Sequence, residues 1–281
     1  MKTRQSYSHE AMATRFQIVF TDPDLAAEHA QSVARAVFAE INRLEEELSR
    51  FKSTSDVWRI NGLRAGESVH VDFATLDCLM LAKAVHAETA GAFDPTVGVL
   101  MNAWRNQDGS PRQPAEAELE SVRRRVGMDL ITVNEDEMTV TVQADFLQLD
   151  LGAVGKGYAL DQCARLLEES DVGGALLNAG ESSLLAVGGT PDGGWPIRLH
   201  LDEPRPFALA DASLSCTGFE VKGSHLMDPR TGQPVPVKAQ RSYVKAPTTA
   251  LSDALSTAFM LMDSADIEAL CDHLPGVEWI H

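Results

Sequence analysis

Residues 129–161 read DLITVNEDEMTVTVQADFLQLDLGAVGKGYALD, and this stretch decides the fold class. Apolar and polar residues alternate in three short runs, at residues 130–133, 139–142 and 146–151, which is the period of a β-strand. Small residues and glycines then lead into residues 155–167, whose apolar positions follow the period of a helix. Short consecutive strands followed by a helix are typical of an α+β protein with mainly antiparallel sheets, so we expect that fold class.

Further elements are predicted on both sides of this stretch. The longest is a helix over residues 25–48, in which apolar residues recur at helical spacing and form a stripe that faces the core. Other predicted helices cover residues 73–88, a short segment around 99–104, residues 115–126 and residues 249–262. Other predicted strands cover residues 16–20, 175–177, 183–187 and 242–245, with more short strands between residues 195 and 214.

We expect one domain over residues 1–281, built from two closely packed lobes. Residues 106–114 are polar and rich in turn-forming residues, and we interpret them as a surface loop, not as a linker between domains. A hydrophobic content of 44% and a charged content of 23% are ordinary for a folded globular protein and exclude disordered and fibrous classes.

The net charge argues against nucleic-acid and membrane-surface partners. Lys and Arg total 24 against 41 Asp and Glu, which gives a formal charge of −17 and repels phosphate backbones and anionic lipids. No run approaches the roughly 18 to 20 apolar residues that a transmembrane helix needs. The first residues lack the apolar core of a secretory signal, so we expect a cytoplasmic location unless a leader has been removed.

The four cysteines predict neither a zinc site nor a disulfide framework. They are widely spaced and contain no CxxC pair. We therefore expect plain thiols, at positions Cys78, Cys163, Cys216 and Cys271.

The segment SDALSTA, residues 252–258, combines a carboxylate and a hydroxyl at helical spacing. Asp253 and Thr257 are four residues apart and therefore share one helix face. Both are oxygen donors of the kind that Mg²⁺ prefers. The alternative is that Asp253 only favours the helix N-terminus electrostatically and Thr257 has no ligand role.

The segment LDLGAVGKGYALD, residues 149–161, places glycines and a lysine where a strand gives way to a helix. Glycines let the backbone approach a bulky ligand, and amides at a helix start attract phosphate. Lys156 would supply positive charge in an acidic chain. The spacing matches neither GxxxxGK[ST] nor GxGxxG, and a tight strand-to-helix connection explains the segment equally well.

Two turn-rich segments complete the candidates. In HLMDPRTG, residues 225–232, His225 can exchange a proton near neutral pH and Asp228 could orient a ring or a loop, although a solitary histidine is more often structural. In TAGAFDPT, residues 89–96, Ala92 and Phe93 offer apolar surface to a planar ligand. Helix capping alone is sufficient to explain Asp94.

The order of these segments resembles the ApbE family of FAD:protein FMN transferases over about residues 12–262. The resemblance is carried by MATRF, LSRF with SDVWRIN, TAGAFDPTVG, LDLGAVGKGYALD, LLNAG, HLMDPRTG and SDALSTA. It implies an α+β fold in which FAD lies in a cleft between two lobes and Mg²⁺ bridges its pyrophosphate. It also implies transfer of FMN to a Ser/Thr hydroxyl of an acceptor flavoprotein that carries a flavinylation motif, with release of AMP.

The resemblance also implies the site residues. The implied catalytic residues are His225 and Asp253. The implied metal ligands are Asp253 and Thr257, with backbone carbonyls at Ala153 and Ser256. The residues implied to surround FAD are Met12, Phe51, Ala92, Phe93, Asp94, Lys156, His225 and Leu226.

This chain departs from the family pattern at three places. Ala13 stands where the family usually has glycine, Glu181 and Ser182 follow LLNAG where the family tends to have Gly-Asp, and Phe219 replaces a common tyrosine. These differences concern acceptor specificity more than FAD and metal binding. Two other functions stay open from the sequence, a metal-dependent FAD pyrophosphatase and a non-catalytic FAD-binding protein.

Overall fold

The computed structural model describes residues 4–22, 24–180, 182–190, 193–199, 207–218, 226–236 and 241–280. Within these residues lie a seven-stranded sheet, a three-stranded sheet, two two-stranded sheets and eight α-helices. Every pair of neighbouring strands is antiparallel. The predicted α+β class with mainly antiparallel sheets is therefore confirmed, while the division into two lobes stays a prediction.

The helices and strands are numbered in chain order. The helices are α1 (Ala27–Leu48), α2 (Asp56–Asn61), α3 (Phe73–Glu88), α4 (Gly98–Ala103), α5 (Glu116–Arg123), α6 (Gly155–Glu169), α7 (Thr249–Phe259) and α8 (Ser264–His273). The strands are β1 (Gln5–Ala11), β2 (Thr14–Phe20), β3 (Ser68–His70), β4 (Ile131–Asn134), β5 (Thr139–Val142), β6 (Ala175–Ala179), β7 (Ser183–Val187), β8 (Trp195–Ile197), β9 (Phe207–Leu209), β10 (Ala212–Gly218), β11 (Met227–Asp228), β12 (Gln233–Pro234), β13 (Arg241–Ala246) and β14 (Glu278–Ile280).

The seven-stranded sheet carries the main core. Its strand order is β1-β2-β6-β7-β10-β13-β14, so segments that are distant in sequence become neighbours. The predicted stripe on α1 is buried at Val33, Val37, Ile41 and Leu44 and belongs to the largest hydrophobic cluster. Helix α7 packs on α6, β10 and β13, which places its polar face close to the start of α6.

The strand predicted at residues 146–151 is wrong. Phe146 lies in a turn with φ of 61° and is exposed, and Gln148 makes a single bridge to Val97. The side-chain amide of Asn61 takes the place of a strand partner, because it accepts from Leu149 N at 2.6 Å and donates to Leu149 O at 3.0 Å. The alternating burial that suggested a strand is therefore real. However, the hydrogen bonds of this backbone are made with the Asn61 side chain and a loop rather than with a neighbouring strand.

Several elements were not predicted, namely β1, α2, β3, α8, β11, β12 and β14. Strand β1 pairs with β2 through a two-residue turn, Met12-Ala13, in which both residues have positive φ, 50° and 56°. Such a turn normally favours glycine or asparagine. The departure at Ala13 thus places a Cβ at a left-handed position that glycine occupies without strain.

None of the four cysteines forms a disulfide; Cys78 and Cys163 are buried, and Cys216 and Cys271 are half-buried. Among the helices in the described ranges, none has both the length and the apolar content needed to cross a bilayer. The cytoplasmic location stays a prediction.

Candidate functional site

The start of α6 and the first turns of α7 lie unusually close together. A Cβ on Gly157 would come within 2.3 Å of the carbonyl oxygen of Thr249, so only glycine fits at this position. The side chain of Asp161, one helical turn later, accepts hydrogen bonds from Thr249 N at 2.7 Å and Ala250 N at 2.9 Å. The glycine that the sequence suggested for ligand approach thus serves close contact between two helices.

Asp253 is the centre of the polar cluster between these helices. Its side chain is almost fully buried, with the residue 3% exposed. One carboxylate oxygen, Oδ2, accepts from Gly157 N at 3.2 Å and lies 3.3 Å from Lys156 Nζ. The other, Oδ1, accepts from the Ser183 hydroxyl at 3.1 Å. These three donors compensate the burial of a charged group, which would otherwise be strongly unfavourable.

Lys156 links Asp253 to the loop that precedes α6. Its ammonium group donates to the carbonyl oxygen of Gly152 at 2.9 Å while it contacts the Asp253 carboxylate. Ala153, the implied carbonyl ligand, is the next residue of that loop, within the turn at residues 152–154. The positively charged ammonium group of Lys156 is therefore held by a carboxylate oxygen and a backbone carbonyl oxygen. Both are hard donors.

The hydroxyl groups of α7 face strand β10. Thr217 Oγ1 lies 2.9 Å from Ser256 Oγ and 3.2 Å from Thr257 Oγ1. Ser256 also donates to the carbonyl oxygen of Asp253 at 2.9 Å. The predicted arrangement of Asp253 and Thr257 on one helix is confirmed as geometry, and Thr217 is an additional member of the cluster.

Glu45 joins the two segments that contain Met12 and Phe51. Met12 N donates to Glu45 Oε1 at 2.8 Å, and Lys52 Nζ lies 3.1 Å from Glu45 Oε2. Phe51 is 79% exposed, and the Arg50 guanidinium lies 4.7 Å from the centre of its ring. An exposed phenyl ring is available to a planar ligand without any rearrangement of the core.

The turn at residues 89–96 is held mainly by its own polar groups. Asp94 Oδ1 accepts from both the backbone nitrogen and the hydroxyl of Thr96, at 2.8 and 2.6 Å. Ala92, Phe93 and Asp94 are all buried. The predicted helix cap at Asp94 is wrong, because α4 begins at Gly98 after Val97 and no side chain caps it. The carboxylate instead shapes its own turn through Thr96, and no contact with a ligand is needed to explain it.

His86 supports the same turn from α3. Its Nδ1 lies 2.9 Å from the carbonyl oxygen of Phe93 and 3.3 Å from Asp94 Oδ2. Both neighbours are acceptors, so Nδ1 carries a hydrogen. The hydrogen bond with Asp94 is the largest contribution that raises the pKa of His86 above its ordinary value, and partial burial opposes this shift.

We expect His86→Gln to destabilise the protein more at low pH than at high pH. A histidine whose folded-state pKa is raised contributes stability below its unfolded pKa and loses that contribution as pH rises through the folded value. The expected loss is about 1 kcal/mol at pH near 5.8, the size of a net hydrogen bond. Urea denaturation of both proteins near pH 5.8 and near pH 8.5 measures the effect, and an equal loss at the two pH values would contradict it.

Asp150 connects the separate segments of the site. Its backbone nitrogen donates to Pro95 O at 2.7 Å, its Oδ1 accepts from Gly152 N at 2.8 Å, and its Oδ2 lies 3.3 Å from Arg50 Nε. The turn at 89–96, the segment around Phe51 and the loop before α6 therefore meet at one residue. This connection was not predicted.

The segment 226–232 lies beside the turn at residues 89–96. Arg230 pairs with Asp228 and donates to the carbonyl oxygen of Leu261 at 2.6 Å, just after α7. A Cβ on Gly91 would contact the Arg230 side chain at 3.8 Å, which places the two turns side by side. Leu226 is buried. His225, and Phe219 and Glu181 among the departures, lie outside the described residues.

The donor set suits a hard divalent cation that also takes substrate phosphates. Across the ranges that the structure describes, no group of three or more His, Cys, Asp and Glu side chains is arranged to hold a metal. A cation here would depend on one carboxylate, at Asp253, with hydroxyl and carbonyl oxygens. This is the usual composition of magnesium sites that keep waters and bind phosphate.

Two cavities of about 520 and 350 Å³ are lined by other residues. The larger lies between the first turn of α1 and the end of α6, around His29, and the smaller lies between α3 and β4, around His86. Neither is lined by Asp253 or Lys156. The chemistry of the side chains, rather than cavity size, identifies the candidate site.

Sequence reasoning missed Ser183, Thr217, Glu45 and the role of Asp161. Ser183 and Thr217 reach Asp253 and Thr257 only because β7 and β10 are neighbours in the sheet. Asp161 lies within a quoted motif, and its spacing of four from Gly157 was the signal that could have placed both on one face of α6.

Comparisons of sequence and of structure with known proteins point to the same family. The sequence profile of the ApbE family matches residues 12–281. An FAD:protein FMN transferase of Klebsiella pneumoniae is 30% identical over 253 residues, which cover 83% of this chain and 72% of that protein. The Escherichia coli K12 protein of the same name is 28% identical over 260 residues, covering 85% of this chain and 74% of the relative. The crystal structure of the flavinyl transferase ApbE from Pseudomonas stutzeri, in its apo form, superposes with a TM-score of 0.84 at 25% identity, over 99% of this chain and 95% of that one.

Proposed function

Because the chain belongs to the ApbE family, we propose that it is an FAD:protein FMN transferase. In this reaction a Ser or Thr hydroxyl oxygen of an acceptor protein bonds to the FMN phosphorus of FAD. The pyrophosphate bond to AMP breaks, AMP leaves with the bonding electron pair, and the hydroxyl proton passes to a base. The observation that carries the proposal is the buried Asp253 carboxylate, through which the segments SDALSTA and LDLGAVGKGYALD contact each other.

We assign the divalent cation, Mg²⁺, to the Asp253 cluster. Asp253 and Thr257 would supply side-chain oxygens, and Ala153 and Ser256 would supply backbone carbonyl oxygens. When bound, the ion neutralises pyrophosphate charge and stabilises the negative charge that develops on the leaving AMP. Lys156 lies beside the same carboxylate, and its ammonium group is suited to a phosphate oxygen of FAD.

We assign the contacts with the flavin to Met12, Phe51, the turn at residues 89–96 and Leu226. The exposed ring of Phe51 and the hairpin turn at Met12 would contact FAD directly. Ala92, Phe93 and Asp94 are buried, so their turn would present backbone and a rigid surface, and Leu226 would close the apolar side. His86 and Arg230 hold this surface in place.

We assign proton transfer to His225. We assign Asp253 mainly to metal ligation. Both oxygens of the Asp253 carboxylate already have hydrogen-bond donors, which suits ligation and orientation better than proton uptake. A histidine next to the flavin phosphate could take the hydroxyl proton near neutral pH. Activation of the acceptor hydroxyl by Asp253 is the alternative within the same proposal.

Mass spectrometry of a candidate acceptor after incubation with this protein, FAD and Mg²⁺ tests the function. A mass gain of one FMN phosphoester is expected, and EDTA or replacement of the acceptor Ser/Thr by Ala is expected to abolish it. Metal-dependent AMP release without any labelled acceptor would instead indicate an FAD pyrophosphatase. FAD binding without AMP under any acceptor condition would indicate a binding protein.

A further inference from the structure

Helices α6 and α7 cap each other's N-termini with side-chain carboxylates. Asp161 of α6 accepts from Thr249 N and Ala250 N in the first turn of α7, and Asp253 of α7 accepts from Gly157 N in the first turn of α6. The first amides of a helix have no partner within the helix, and negative charge there is favourable. Each helix therefore completes the other.

We propose that Asp161 is a positioning residue for the metal site, because it fixes the first turn of α7 and so sets where Asp253 presents its carboxylate. The proposal rests on the proposed function, since it concerns the same cation and pyrophosphate site. Asp161 itself contacts the helix backbone, and it acts through Asp253.

Asp161 is the side chain that accepts from the first amides of this turn. Thr248, the residue before α7, contributes a single long hydrogen bond, from Leu251 N to its hydroxyl at 3.4 Å, and it is exposed. Asp161 instead supplies two short bonds, at 2.7 and 2.9 Å, to consecutive amides. Gly157, one turn earlier on α6, packs against the Thr249 carbonyl oxygen, so the same two helix turns are also in close contact.

A small displacement of this turn would move Asp253 relative to its fixed partners. Lys156 and Gly157 belong to α6, and Ser183 belongs to β7, so none of them follows a shift of α7. The cation site needs oxygens from both the loop before α6 and from α7. Its geometry therefore depends on the α6–α7 contact that Asp161 maintains.

Asp161→Asn, tested by titration with Mn²⁺ alone in the absence of FAD, examines the proposal without any catalytic readout. Asparagine keeps the shape, but its single carbonyl oxygen serves one amide while its NH₂ group faces the other. The Mn²⁺ dissociation constant is expected to rise about 10- to 100-fold, as for loss of other partners that orient a metal ligand. FAD affinity measured in EDTA is expected to change less than about 3-fold, since that binding does not use the cation.

Thr248→Ala is the matched control, because it weakens the same helix N-terminus without touching Asp161. It is expected to lower the melting temperature but to leave Mn²⁺ affinity within about 2-fold, since an exposed cap contributes to helix stability alone. Equal Mn²⁺ affinity in Asp161→Asn and wild type, or equal weakening by Thr248→Ala, would overturn the proposal, as would a wild-type protein that binds no Mn²⁺. A wild type that binds Mn²⁺ normally but transfers no FMN would overturn only the proposed function.

Discussion

Asp253→Asn is expected to lower the rate of FMN transfer at least about 100-fold, the upper end of what loss of an outer-shell partner alone costs a metal site. The substitution keeps the size of the side chain, and its carbonyl oxygen can still accept from Gly157 N or Ser183. It removes the negative charge that Lys156 contacts and that a divalent cation needs. The loss should therefore appear in catalysis and metal affinity rather than in folding.

The measurement is the initial rate of acceptor labelling over a range of Mg²⁺ concentrations, with thermal unfolding of both proteins alongside. Asp266→Asn is the control, since it removes the same charge from an exposed position on α8. Labelling by Asp253→Asn at the wild-type rate, with unchanged Mg²⁺ dependence, would show that this carboxylate is neither a ligand nor a base.

Gly157→Ala is expected to lower both stability and catalysis strongly, although it adds only one methyl group. The new Cβ would lie 2.3 Å from a backbone carbonyl oxygen of Thr249, and a backbone atom cannot rotate away as a side chain can. Overpacking of this kind costs about 1–3 kcal/mol, and sometimes more. The helices must separate to relieve the contact, and a displacement of about 1 Å can reduce catalysis about 100-fold.

Gly155→Ala, two residues earlier in the same helix, is the matched control. A Cβ there would meet only a side-chain atom of Leu48, at an ordinary contact distance of 3.7 Å. We expect it to keep activity and to be neutral or stabilising by about 0.4–1 kcal/mol, the usual gain from a compatible Gly to Ala change. Urea denaturation and acceptor labelling of both variants measure the difference, and similar behaviour of the two would refute the close-contact argument.

Much of the local structure could be predicted from the sequence, because periodicity reports which face of an element is buried. The stripe on α1 and the shared face of Asp253 and Thr257 followed from spacing alone. Strand β1 was missed since QSYSHEA is mostly polar and alternates around an exposed edge. The run at 146–151 was misassigned because alternation cannot distinguish a strand partner from an asparagine side chain.

The remaining parts of the site depend on tertiary arrangement. Ser183 and Thr217 have no distinguishing local pattern, and only the strand order β7-β10 beneath α7 brings them to Asp253 and Thr257. The role of Gly157 was also interpreted differently, because a sequence shows that a Cβ is absent but not which atom occupies the space. The same holds for Asp94, whose carboxylate shapes its own turn.

The strand order also has a consequence for how the protein reaches its folded state. The contacts of Asp253 join residues that are 70, 96 and 97 positions apart in the chain. Contacts at such separations form after local hairpins and helices, because closing a long loop costs more entropy and slows folding. The hairpin of β1 and β2 can form early, whereas the carboxylate cluster is assembled only when the last third of the chain docks. A partly synthesised or partly folded chain therefore has neither the proposed cation site nor the buried charge that would have to be neutralised.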